Sequence, residues 1–223
     1  MRSQRFVQGL LMGLAIVGVG CATKQLDTLK KKSNAGDYAS IAQESVSCEE
    51  VDDVCGQAHL VKGDACFRLA KQQNDPEKHY DCAVTELDKG IRYTKTWEQG
   101  GAHLNRPQTY ANLCESLRAS QDMMSGARAD QLTQRLLDAS QRFLAAEPGN
   151  PAAVYYNTSA RYTQLRPEIL HPRNPQGLCR DLNGLVGALD TASPRAQGTD
   201  YQANFARLQS DINGVKRTIA GCN

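Results

Sequence analysis

The chain has 223 residues and a formal net charge of +2, and two of its 26 Lys and Arg residues, Arg2 and Arg5, precede Cys21, which leaves 24 basic side chains against 24 acidic ones thereafter. A neutral chain carries no electrostatic footprint for a phosphate backbone, so nucleic-acid binding is excluded as its organising function. Sparse aromatics and plentiful Ala, Leu, Gln and Arg favour helices, and about 200 residues suffice for one domain or a short repeat array.

The N-terminus reads as an export signal over residues 1–20. Arg2 and Arg5 form a charged n-region, and the apolar stretch from Phe6 to Val19 is broken by Gln8 alone. It is shorter than the run of about 20 apolar residues that a spanning helix needs. The stretch ends in Gly18-Val19-Gly20-Cys21. A small residue directly before a cysteine resembles the lipobox of bacterial lipoproteins, although Gly18 stands where that family usually has Leu. The resemblance implies diacylation of Cys21, cleavage before it and acylation of the freed amine. With Ala22 in place of the Asp that marks inner-membrane retention, it implies an outer-membrane protein, lipid-anchored on the periplasmic face. The alternative is an ordinary cleaved signal whose Cys21 joins a disulfide.

Residues 21–36 are polar and expected to form a flexible, lipidated tether, with Lys30, Lys31 and Lys32 as its solvated basic cluster. Residues 37–223 then read as one all-α domain. No window alternates with period two, and helix signals recur in pairs: 58–72 with 76–93, 107–120 with 125–146, 151–165 with 175–189, and a last helix over 199–220. Asp75-Pro76, Asn150-Pro151 and Asn174-Pro175 each place a side-chain acceptor before a proline at the first helical position. In the last helix Tyr201, Phe205, Leu208, Ile212, Val215 and Ile219 make one apolar stripe, which Cys222 continues.

Eight cysteines behind an export signal point to an oxidising compartment. The helix assignments suggest three pairings: Cys48 with Cys55 across a short loop, Cys66 with Cys82, and Cys179 with Cys222 at one end of the terminal hairpin. Cys114 is left over. Connectivity does not follow from sequence alone.

Ala139, Phe143, Ala146 and Pro151, followed by Tyr155 and Tyr162, resemble the tetratricopeptide repeat. Tyr80, Ala83, Leu87 and Gly90 after a helix with Gly63 at its small position, and Tyr110, Leu113, Cys114 and Leu117, repeat parts of the pattern. Ala83 and Ala139 stand 56 residues apart, against a standard repeat of about 34, so the helices or turns are enlarged. The resemblance implies antiparallel helix hairpins stacked as a TPR-like solenoid, with an irregular helical bundle as the alternative. It also implies a concave partner-binding groove formed by Leu60, Asp64 and Phe67, by Ala111, Glu115 and Arg118, and by Tyr156, Ala160 and Thr163.

Catalytic motifs are missing from the sequence. His59, His79, His103 and His171 are scattered, and no HExxH, CxxC, phosphate loop or nucleophile elbow occurs. His79 and Cys82 have metal-ligand spacing, but the disulfide reading of Cys82 is preferred, and no metal or other cofactor is expected. Asn157-Thr158-Ser159 matches a glycosylation sequon in a helix and is read as incidental. Trp97, beside Gly100-Gly101, is read as a cap on the local core. The expected function is a non-enzymatic scaffold or assembly factor that binds an envelope protein partner. A helical ligand-binding lipoprotein of a periplasmic uptake system and a purely structural envelope protein are the alternatives.

Overall fold

A computed structural model describes residues 15–48, 52–73, 75–97 and 105–222, with side chains from Ala22 onward. The described residues form ten α-helices and no strand, the all-α class expected. The chain divides into two compact units between Thr109 and Tyr110, where one domain over 37–223 was expected.

The first unit contains α1 (Ala15–Asn34), α2 (Tyr38–Gln43), α3 (Asp53–Lys71) and α4 (Pro76–Tyr93). Its centre is the α3–α4 hairpin, and glycine makes that hairpin close. A Cβ on Gly63 would meet Leu87 Cγ at 2.6 Å and the Leu87 backbone nitrogen at 2.9 Å, while Gly90 faces Leu60 in the same way. Each leucine therefore fills the space that the facing glycine leaves. Asp52 caps α3 by accepting the Cys55 N–H at 2.7 Å, and Asp53 accepts those of Lys95 and Thr96 at 2.6 and 2.9 Å.

The expected tether is instead a helix. From Ala22, α1 packs on α3 and buries Leu26 and Leu29, which with Ala22 and Ser33 stand at i, i+4, i+7 and i+11. Gly36, at φ +74°, ends it in a Schellman turn, with the Asp37 N–H on the Lys32 carbonyl and the Gly36 N–H on that of Ser33. Lys32 pairs with Glu44, and Lys30 donates to Gln57, so two of the three lysines are tied down. Polar composition concealed a short apolar stripe. Cys21 lies within α1, and its acylation and the signal segment before residue 15 fall outside the described side chains and residues.

The second unit contains α5 (Arg106–Met123) from Tyr110 on, α6 (Gly126–Ala146), α7 (Pro151–Gln164), α8 (Arg166–Leu170), α9 (Pro175–Ala196) and α10 (Tyr201–Lys216). Asn150 and Asn174 cap α7 and α9 as expected, accepting from Ala152 and Gly177 at 2.9 and 3.0 Å. Asp75 does not cap α4: it sits at φ +47° and makes no side-chain cap bond. Phe143 stacks on Tyr110 with ring centroids 5.2 Å apart. Helix α9 runs past Leu189 because Ala192 and Ala196 continue the stripe begun by Leu178, Leu182 and Leu185. It meets α10 through Phe205, Leu208 and Ile212. Helix α10 stops at Lys216, and a turn, not a further helical turn, brings Cys222 to Cys179.

All three suggested cysteine pairs stand at disulfide distance. Their Cα separations are 5.7 Å for Cys48–Cys55, 5.9 Å for Cys66–Cys82 and 5.3 Å for Cys179–Cys222. Cys114 is a buried free thiol, and desolvation pushes its pKa far up, which leaves it unreactive. No helix among the described residues is long and apolar enough to cross a membrane.

Candidate functional site

Three helices of the second unit enclose a polar groove of about 400 Å³. Helix α5 supplies Glu115, Arg118, Gln121 and Asp122; α7 supplies Tyr155, Ser159, Tyr162 and Thr163; α10 supplies Asn204, Arg207, Leu208 and Asp211, and Arg166 closes one end. Three carboxylates thus face three guanidinium groups around two tyrosines.

One wall is rigid. Arg118 grips Glu115 with two parallel hydrogen bonds, Nε to Oε2 at 3.0 Å and Nη2 to Oε1 at 2.9 Å, and Nη1 donates to Asp122 at 2.8 Å. The helix supports this by placing the acids three residues before and four after the arginine. The Glu115 hydrogen bonds hold the Arg118 pKa above its ordinary value. From beneath, the buried Tyr156 donates its hydroxyl to Glu115 Oε2 at 3.2 Å. Tyr155, Tyr156 and Tyr201 meet edge to face or tilted, with centroids 5.1 to 6.0 Å apart. Burial raises the pKa of each of the three, and the Glu115 charge adds to it, so they remain neutral phenols.

Of the residues expected in a binding groove, Glu115, Arg118 and Thr163 line this one. Tyr156 lies under its floor, and Ala111 and Ala160 are buried in the helix packing. The other three belong to the first unit. Leu60 fills the gap at Gly90, Asp64 is buried in an ion pair with Arg68 at 2.7 Å, and Phe67 is half-buried with its ring 6.5 Å from that of Tyr80. Three of the nine expected residues therefore line this groove, beside the other residues named above. On α7 the open row is Tyr155, Ser159 and Tyr162, one position before the expected row, because the larger face of that helix is taken up by core contacts at Tyr156 and Ala160. A signal was present: Tyr155, Ser159, Tyr162 and Arg166 form a polar-aromatic stripe at i, i+4, i+7 and i+11. The contribution of α10 had no such signal, since its placement depends on the chain's return.

The first unit holds a second polar cluster. Glu86 on α4 takes a hydrogen bond from His59 Nδ1 at 2.5 Å and an ion pair from Lys62 at 2.9 Å. Burial raises the Glu86 pKa, but these two donors and the Lys62 charge outweigh it, and the net value lies below the usual carboxylate range. Among the described residues, one group of three metal-ligating side chains converges: Cys48, Cys55 and His59. His79 and Cys82 form no such group there. No protein-family model, no curated protein and no solved structure matches the chain.

Proposed function

We propose that the chain is a lipid-anchored envelope protein whose second unit holds a segment of a partner protein in the α5–α7–α10 groove. The observation that carries this reading is the lining itself. Two half-buried tyrosines offer amphipathic contact area of the kind enriched at binding hot spots, and arginine and carboxylate groups of fixed geometry flank them. Such a polar, solvent-open groove suits a peptide segment better than the closed apolar tunnel that a small-molecule carrier of an uptake system needs.

Attachment through Cys21 rests on the sequence, and α1 supplies its consequence. Leu26, the first buried residue among the described side chains of the helix, follows five residues after Cys21, about 7.5 Å along the axis. An acyl anchor at Cys21 then holds the first unit close to the bilayer, with no slack between.

The experiment is site-specific photo-crosslinking in native membranes. A photoreactive residue at Ser159, in the groove, is expected to give a discrete adduct with one protein, and the same residue at the exposed Arg135 of α6 is not. For the partner so identified, Tyr162→Ala with Arg207→Ala should weaken binding by about 2 kcal/mol or more without loss of helical signal. Adducts that form equally at both positions, or binding unaffected by the double substitution, refute the groove.

A further inference from the structure

Only one of the three cysteine pairs has, among the described residues, a third metal ligand within reach. The sulfurs of Cys48 and Cys55 and a ring nitrogen of His59 all lie within 4.8 Å of one another. Cys55 and His59 stand four residues apart on α3, so one helix face presents both. Cys48 arrives from the extended segment after α2, its Cα 5.7 Å from that of Cys55. The imidazole is already oriented. An ionised carboxylate only accepts, so the 2.5 Å contact with Glu86 makes Nδ1 the donor and leaves the ring's lone pair on Nε2. A carboxylate behind a histidine is the arrangement that fixes the tautomer and aim of metal-bound imidazoles. Lys62 at 2.9 Å and the Tyr93 ring at 6.1 Å hold this pair in place.

The geometry points to a thiol-dependent metal site: with the Cys48–Cys55 bridge reduced, Cys48, Cys55 and His59 bind one divalent cation of borderline softness, Zn2+ being the type. Disulfide and metal are alternative occupants of the same two sulfurs. A dithiol reductant gives two electrons and two protons to the bridge, becomes a disulfide itself and leaves two thiols. The cation then displaces both thiol protons and forms two metal–sulfur bonds and one metal–nitrogen bond, with water in the fourth position. Zn–S bonds of about 2.3 Å at tetrahedral angles set two sulfurs about 3.8 Å apart, so the Cys48 and Cys55 sulfurs part from bonding distance to take up the cation once the bridge is reduced. Cys55 and His59 are buried and Cys48 half-buried, so the water-bearing side is that of Cys48. Either occupant ties the segment after α2 to the start of α3.

The full chain, reduced with a dithiol, desalted without oxygen and dialysed against Zn2+ alone, should bind one Zn2+ per molecule, and the oxidised chain none. Cys48→Ser should abolish binding, and Glu86→Gln, which only positions the imidazole, should weaken it by about 10- to 100-fold. Cys66→Ser with Cys82→Ser removes the other pair in this unit and should leave the stoichiometry unchanged. A variant that needs no reductant guards against unfolding of the reduced chain. Cys48→His keeps the other two bridges oxidised, and it should bind one Zn2+ as purified. Absence of binding by Cys48→His with its helical signal intact overturns the proposal. So does binding by the reduced chain that survives Cys48→Ser or disappears with the Cys66 and Cys82 substitutions.

Discussion

Gly63 and Gly187 both lie inside helices, yet the same substitution should move stability in opposite directions. A methyl group at Gly63 collides with the Leu87 side chain and with backbone that has no freedom to yield, whereas one at Gly187 meets nothing within 4 Å. Overpacking costs about 1–3 kcal/mol, and the gain in helix propensity from Gly to Ala, about 1 kcal/mol at most, does not offset it where α3 and α4 touch. Gly63→Ala is expected to destabilise the first unit. Gly187→Ala should stabilise the second by about 0.5–1 kcal/mol. Denaturant unfolding of the two variants beside the unaltered chain measures both signs. The small-residue pattern at Gly63 and Gly90 was readable in the sequence as a packing device. Which leucine each glycine serves is a property of the closed hairpin.

At the scale of elements, α1 is where composition misleads most. Lys, Asp, Thr and Ser dominate residues 23–33, and such a stretch reads as a solvated tether. Two leucines at the right spacing are enough to dock it, because α3 presents a surface that needs covering. Leu29 is fully buried there. Truncating a fully buried leucine typically costs about 2–5 kcal/mol, so Leu29→Ala should lower the stability of the first unit by about that amount and open the Ser33–Asp37 turn to limited proteolysis. In a free tether the same change would alter neither. In α7 the expected row of open residues is displaced by one position for a related reason: the helix turns Ala153, Tyr156 and Ala160 into the packing with its neighbours, which puts Tyr156 under the floor and leaves Tyr155 at the rim.

For the molecule as a whole, the proposed anchor at Cys21 and the proposed binding groove belong to different units, so each is tested separately. Cys21→Ala is expected to release the protein from membranes, because two or more acyl chains hold far more tightly than one or none. Fractionation settles it: a variant that still sediments with the membrane would show that the folded part binds there by itself. The groove should survive this substitution, since every residue lining it lies between Glu115 and Asp211.

The sequence by itself determined the helical class, most boundaries of the seven expected helices and the two asparagine caps, and it suggested the three cysteine pairs that the structure brings to disulfide distance. Those features are local or follow from antiparallel neighbours: a period of 3.6, a proline after an acceptor, cysteines at the ends of adjoining helices. Glu115 and Arg118 were named through the resemblance to the tetratricopeptide repeat, and both line the polar groove of the second unit. What only the tertiary structure decided depends on which face each helix turns toward another. Burial of α1, the row that α7 leaves open, the arrival of Arg207 and Asp211 from α10, and the meeting of Cys48, Cys55 and His59 with Glu86 all join residues distant in the chain. Such meetings are fixed by packing the apolar stripes together, and a stripe specifies that a face is buried without specifying what covers it.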